Sequence, residues 1–117
     1  MNKEFIPYEQ ALELKELGFD ENCIAFYEPD NKQVQVVGVE QRYNNPELLR
    51  MKDFCAPLYQ QAFRWFREKY EFTYSIGNTN IAVVHYGPIT QLLQNNDSYE
   101  AAELAAIKWF IDVAKQL

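Results

Sequence analysis

The sequence predicts an α+β fold whose elements follow the order αββ-αββ-α. Two segments with helical spacing each follow a proline, and each precedes a pair of β-rich runs joined by turn-forming residues. A third, strongly apolar helical segment ends the sequence. We therefore expect two antiparallel hairpins in a sheet packed by three helices. The 117 residues, 48% of them hydrophobic, suffice for a single domain over 1–117.

The first helix is expected to begin at Pro7, because proline lacks the N–H that stays unpaired in the first turn. Gly18 is expected to end this helix in a left-handed conformation that brings Phe19 onto Leu14.

The first hairpin pairs the apolar runs 23–27 and 34–39 across a turn that contains Pro29. Residues 40–54 show the least regular pattern, and the breaker Asn44-Asn45-Pro46 lies among them.

The most distinctive segment is 55–70, an amphipathic helix opened by Pro57. Its aromatic stripe consists of Tyr59, Phe63, Trp65, Phe66 and Tyr70. Such a stripe is typical of a helix that lies on a sheet, whereas Tyr and Trp rings also line pockets and interface rims. Both interpretations stay open at this point.

β-Branched and aromatic residues at 72–76 and 81–86 flank the turn Gly-Asn-Thr-Asn and predict a second hairpin. The pattern of 89–93 is ambiguous between helix and strand. The last helix is expected to open at Asp97, whose carboxylate would cap the first turn while Glu100 completes a capping box.

The two helix–strand–strand units are weakly similar to each other. Identical residues recur at a constant offset of 51, namely Tyr8 and Tyr59, Gln10 and Gln61, and Ala11 and Ala62. Internal duplication and chance both account for three identities, since two copies give a weaker signal than a sustained repeat.

The net charge of −6 is unevenly distributed along the chain. Residues 1–40 carry three Lys against nine acidic residues, 41–70 carry six basic against three acidic, and 71–117 carry two basic against five acidic. The overall acidity argues against general duplex binding, while the basic middle leaves a small anion or an acidic partner open. No apolar run approaches the ~20 residues that span a bilayer, and no signal peptide pattern is present, so we expect a cytoplasmic location.

Cys23 and Cys55 are expected to be buried and unpaired, because no Cys-x-x-Cys motif or second pair indicates a disulfide framework or a zinc site. The single histidine, His85, follows Ile81 and Val83 on one strand face, which favours a core-edge position over a catalytic base. No glycine-rich phosphate loop and no metal-ligand spacing is found. We therefore expect no metal and no cofactor, and enzymatic activity is disfavoured.

Arg64 and Arg67 lie one turn apart on the outer face of the aromatic helix, a spacing that suits bidentate binding of a carboxylate or phosphate. The alternative is that they form ion pairs with Glu68, Glu71 or the acidic first helix. Further candidates for contact with a ligand or partner are Arg42, Arg50, Lys52, Tyr59 and Trp65.

The last helix is apolar over roughly 200° of its circumference, about twice what one sheet face covers. Either both hairpins cover it or a second subunit does, and we expect a homodimer because small oligomers are commonly two-fold. The candidate interface residues are Trp109, Phe110 and Val113.

The residues Ala-Pro-Leu-Tyr-Gln-Gln-Ala-Phe-Arg-Trp-Phe-Arg-Glu-Lys-Tyr at 56–70 resemble a family of small uncharacterised proteins from Bacteroidales bacteria, their phages and other mobile elements. The segments 5–20 and 98–105 look like the same family, and the three anchors cover about a third of the chain. The resemblance implies a bacterial or phage setting. It carries no activity and no catalytic residues.

These features favour a non-enzymatic accessory protein that binds a host or phage protein through exposed aromatic and charged surface. One alternative is a binder of a small nucleotide-like anion that uses Arg64, Arg67 and aromatic rings. The other is a small enzyme that uses His85.

Overall fold

The structure is a computed structural model that describes residues 4–30, 32–41 and 53–117, with the backbone alone at 37–41. The chain forms two compact units, Met1–Tyr59 and Gln60–Leu117. Its described elements are three helices and two three-stranded antiparallel sheets, which confirms the predicted α+β class. The expectation of one domain over 1–117 stays a prediction.

The first unit contains helix α1 (Tyr8–Glu16) and strands β1 (Cys23–Tyr27), β2 (Val34–Gln41) and β3 (Phe54–Cys55). β1 lies between β2 and β3, and both pairings are antiparallel. The predicted first hairpin is confirmed, and β3 extends it by an unpredicted third strand.

The C-terminal end of α1 has the predicted Schellman geometry. Gly18 is left-handed, with φ at 100°, and its N–H donates to the Lys15 carbonyl at 3.0 Å. The Phe19 N–H donates to the Leu14 carbonyl, also at 3.0 Å, and both of these side chains are buried. Only a residue that tolerates positive φ allows this reversal, which explains the glycine.

Aromatic rings fill the core of the first unit. The Phe54 ring contacts those of Tyr8 and Tyr27, at centroid distances of 5.2 and 5.8 Å. The Tyr27 hydroxyl donates to the Ile6 carbonyl at 2.7 Å, and burial raises the pKa of this phenol. The hydrogen bond fastens the segment before α1 to the central strand.

Cys23 and Cys55 form a disulfide that connects β1 to β3. Both are buried, as predicted, with exposed fractions of 2% and 1%. The expectation that they are unpaired is wrong. The two cysteine Cα atoms are 6.0 Å apart, within the range that disulfides span. The disulfide therefore links the first strand of this sheet to the unpredicted strand β3.

The second unit contains most of helix α2 (Tyr59–Tyr70), strands β4 (Thr73–Ile76), β5 (Ala82–Tyr86) and β6 (Ile89–Leu93), and helix α3 (Tyr99–Lys115). The strands form an antiparallel meander in the order β4-β5-β6. The predicted second hairpin is confirmed. The segment 89–93, whose sequence pattern is ambiguous, forms the third strand of this sheet, β6.

Three rings meet in the core of the second unit. Phe66, Phe72 and Phe110 are buried, and the centroid distances between them are 5.9, 5.3 and 5.1 Å. Burial of each such side chain contributes about 1.5–3 kcal/mol. The buried side chains of α3 are Ala102, Ala106, Ile107, Phe110, Ile111 and Ala114. The stripe of α2 and the apolar face of α3 therefore both contribute to this core.

Two helix starts differ from the prediction. α1 begins at Tyr8, so that Pro7 is the capping residue and not the first helical one. α3 is capped by Ser98, whose side chain accepts a hydrogen bond from the backbone N–H three residues later at 3.1 Å. The predicted capping box of Asp97 and Glu100 is therefore wrong. Both residues satisfy the spacing rule, but the backbone turns into the helix one residue later.

The order helix–strand–strand–strand occurs in both units, but the strand order within the sheets differs. The first strand, β1, is central in the first unit, whereas the second strand, β5, is central in the second. The sequence of elements repeats while the topology does not. Internal duplication stays a prediction.

Candidate functional site

Arg64 and Arg67, the predicted anion-binding pair, are exposed on α2. Burial, Tyr99 and Glu103 raise the pKa of the nearby Tyr74, and the positive charge of Arg67 partly offsets that rise. Arg64 already has a partner in the structure. The further candidates Arg42 and Arg50, with Lys52 beside them in the sequence, lie outside the described residues. The anion site stays a prediction.

The rings of Tyr59 and Trp65 are buried, each with an exposed fraction of 7%. Trp65 packs edge to face on Phe66 and Tyr70, at centroid distances of 5.1 and 5.8 Å, and the Lys69 amine lies 5.1 Å from its ring. A ring enclosed in this way offers a ligand little surface. The burial of both side chains favours core packing, and their contact with a ligand or partner stays a prediction.

His85 is half-buried on β5, and its Nδ1 lies 3.0 Å from the Thr90 hydroxyl on the neighbouring strand. The two residues are directly opposite each other in the β5–β6 register. The described residues contain no group of three His, Cys, Asp or Glu side chains that could hold a metal. The hydrogen bond gives His85 a structural role between strands. Its side chain lies on the partly exposed face of β5, opposite the face that buries Ala82 and Val84.

An acidic cluster that the sequence pattern did not single out lies between β4 and α3. Burial raises the pKa of Tyr74, and the nearby Tyr99 and Glu103 raise it further. Burial also raises the pKa of Glu103, with a smaller contribution from Glu100. A signal was available in the sequence, because Glu103 precedes the buried Ile107 by four residues and so shares its helix face.

The edge strand β6 exposes large apolar side chains. The first four residues of this strand are exposed, and the exposed fractions of Ile89 and Leu92 are 51% and 53%. Large apolar side chains at such exposure are unusual on a sheet edge, which folded proteins normally protect with charges or bulges. No charged residue occurs in the sequence from 87 to 96.

The hairpin between β5 and β6 determines which backbone groups face this edge. Gly87 and Pro88 form a two-residue loop, in which Gly87 adopts φ 59°, and Tyr86 is directly opposite Ile89. In such a loop the flanking pair exchanges hydrogen bonds, and the pairs alternate from there. The backbone N–H and C=O groups of Thr90 and Leu92 consequently point away from β5, toward the free edge.

Helix α3 approaches the same edge through a tryptophan. The Trp109 indole N–H donates to the side-chain oxygen of Gln91 on β6 at 3.2 Å. Trp109 and Val113 are four residues apart on one side of the helix and are both half-buried. Phe110 is completely buried, so only Trp109 and Val113 of the three interface candidates retain accessible surface.

Comparison with protein families, with curated proteins and with solved structures yields no match in any of the three. Along the described ranges, no helix combines the length and apolar character that a bilayer crossing requires. The function proposed below therefore rests on the geometry of the described residues.

Proposed function

We propose that this chain is a non-enzymatic accessory protein that acts by binding a protein partner, and that the free edge of β6 is its contact surface. The observation that supports this proposal is the exposure of Ile89 and Leu92 on an uncharged edge strand. An edge of this kind adds a strand from a partner, whose backbone supplies hydrogen bonds while pockets beside the edge select side chains.

Accessible groups on β6 match the needs of strand addition. The backbone of Thr90 and Leu92 presents donors and acceptors in alternation, and a partner strand satisfies them without any charged contact. The exposed apolar side chains add hydrophobic burial, at roughly 25 cal/mol per Å² of apolar surface removed from water. These contributions together give the strand both affinity and a preferred register.

The setting that we propose is bacterial or phage, following the resemblance of the segment 56–70. A cytoplasmic location is the expectation from the sequence. The disulfide between Cys23 and Cys55 argues against it, because disulfides persist mainly in oxidising compartments. An alkylating agent added to the native cells traps free thiols. The fraction of protein that then carries the disulfide decides between the cytoplasm and an oxidising compartment.

The proposal is tested with a matched pair of variants. Thr90→Pro removes the edge-facing N–H and leaves the bonds to β5 intact, whereas Thr90→Ala keeps that N–H. Both variants lose the hydroxyl that bonds His85. We expect partners identified by affinity capture and mass spectrometry to bind Thr90→Ala and to be lost from Thr90→Pro. Partners that bind both variants equally would place the contact surface elsewhere.

The small-anion alternative makes a different prediction. A nucleotide-like ligand that binds the folded chain would raise its melting temperature in a screen of nucleotides and metabolites. Loss of that shift in Arg64→Ala would support an arginine site, and its persistence would exclude Arg64. Under the proposal made here, the screen gives no shift.

A further inference from the structure

We infer that the partner at the β6 edge is a second copy of this chain, paired antiparallel with its own β6 about a two-fold axis at Gln91. This inference rests on the proposed function, since it names the partner of the same edge. It extends the three-stranded sheet of each copy into one six-stranded sheet. Four further observations support it.

The first is the hydrogen-bond register. With the axis at Gln91, Thr90 of one copy lies opposite Leu92 of the other, and these are the residues whose backbone groups face the edge. Each Thr90–Leu92 pair exchanges two hydrogen bonds, so the strand pair makes four. A two-fold pairing thus satisfies every edge-facing group of both residues with no shift of register.

The second is the fit of the side chains. Ala82 and Val84 are completely buried on one face of β5, and their β6 partners are Leu93 and Gln91. Leu92 lies on the opposite face and would pack beside the partner's Thr90, while Ile89 would pack beside the partner's Leu93. The two most exposed apolar side chains of β6 are thereby covered.

The third is charge. Each copy carries a net charge of −6, so two copies repel each other over a distance of about a Debye length, ~8 Å at physiological ionic strength. The strand pair itself contains no charged residue, because the sequence 87–96 has none. Self-association at this edge therefore brings no like charges into contact and should strengthen as salt screens the remaining repulsion.

The fourth is the half-exposed side of α3. A five-residue strand pair is small against the interface of about 1,000 Å² that specific complexes bury. Trp109 bonds the side chain of Gln91, the residue on the proposed axis, and Val113 lies one turn further along the same side. Both side chains are thus placed to add apolar area next to the two-fold axis.

The other edge of this sheet does not offer the same surface. On β4 the larger side chains, Tyr74 and Ile76, are only partly exposed, and the exposed residues are Thr73 and Ser75. An exposed edge without exposed apolar side chains gives a second copy little to bury. This contrast favours β6 as the dimer edge and makes Ser75 on β4 a control position for cross-linking.

Sedimentation velocity across a range of protein and salt concentrations tests the inference. We expect a monomer–dimer equilibrium that shifts toward dimer with added salt. Thr90→Pro removes two of the four hydrogen bonds, and at about 1 kcal/mol each its dimer should dissociate at least tenfold more readily than that of Thr90→Ala. Circular dichroism of both variants verifies the fold. A wild-type chain that stays monomeric at millimolar concentration overturns the inference.

Cross-linking gives a second readout. The two Gln91 residues form a pair without mutual hydrogen bonds, with Cα atoms about 4.5 Å apart, close enough for a disulfide. Gln91→Cys should form a covalent dimer under mild oxidation, whereas Ser75→Cys on β4 should not. Equal cross-linking of both variants, or none at Gln91→Cys, contradicts the pairing. A monomer that still loses a heterologous partner through Thr90→Pro would refute the self-pairing and preserve the proposed function.

Discussion

Removing the disulfide between Cys23 and Cys55 should destabilise the first unit by several kcal/mol. The bond joins residues separated by 32 positions, and both sulfurs are buried. The chain-entropy relation for a closed loop of this length gives a contribution of about 3.7 kcal/mol at 25 °C, through restriction of the unfolded chain. Domains of this size have an unfolding free energy of only about 5–15 kcal/mol, so loss of the disulfide removes a large fraction of the total stability.

The perturbation is the double substitution Cys23→Ala/Cys55→Ala, compared with oxidised wild type in urea unfolding. Wild type that has been unfolded, reduced and refolded in reductant is the matched control, because it retains both sulfur atoms in the core. Far-UV circular dichroism monitors both units, whereas fluorescence monitors the second unit, since Trp65 and Trp109 both lie there. The expected loss of unfolding free energy in the first unit is therefore measured by circular dichroism.

The comparison must use the unfolding free energy extrapolated to water. The cross-linked unfolded chain exposes less surface, so oxidised protein has the smaller urea dependence and the midpoint alone misstates the difference. Two free thiols per chain in unfolded, air-oxidised wild type would refute the pairing directly. A double variant that loses less than about 1 kcal/mol would refute the magnitude.

Three further predictions concern individual side chains. Ser98→Ala should lower the unfolding free energy by about 1 kcal/mol in urea titrations, whereas Asp97→Ala, at the originally predicted cap, should cost only a few tenths. Glu71 follows the last residue of α2 with φ at 62°, and its N–H donates to the Arg67 carbonyl, so Glu71→Gly should raise the melting temperature by relieving about 1 kcal/mol of backbone strain. Burial holds the pKa of Glu103 above its ordinary value of 4.5, so the folded state binds its proton more tightly and loses stability as pH rises from 4.5 through the raised pKa. Glu103→Gln should therefore be more stable than wild type at pH 7, and urea titrations at decreasing pH should show this advantage disappear near pH 4; a gain that is constant with pH would contradict the assignment.

The elements that the sequence predicted correctly are those with local causes. Gly18 ends α1 because the required left-handed conformation is intrinsic to glycine, and the Phe19 contact follows from chain geometry. The turn Gly-Asn-Thr-Asn also has a local cause, because its last residue, Asn80, tolerates the left-handed conformation that it adopts, with φ at 59°. Hydrophobic periodicity located α2 and α3, because the buried face of each helix follows its own 3.6-residue spacing.

The features that were missed depend on distant segments. β3 has two residues, too few for any periodicity, and its strand state comes from pairing with β1. The disulfide joins two cysteines 32 positions apart, so no local pattern indicates it. β6 was ambiguous because its exposed side chains do not alternate between apolar and polar. In each case the tertiary context decides what the local pattern leaves open.

The candidate interface could be predicted only in part from the sequence, because tertiary contacts decide how much of the apolar face of α3 is exposed. The sequence predicts a dimer contact on α3 because the apolar arc of this helix exceeds what one sheet face covers, yet much of that arc, Phe110 included, is buried within the chain. What remains accessible is Trp109 and Val113, beside the edge of β6. The excess of apolar surface is therefore real but smaller than the helical wheel suggests. It indicates an interface only in combination with Ile89 and Leu92, because an edge strand supplies the backbone hydrogen bonds that a helix face lacks.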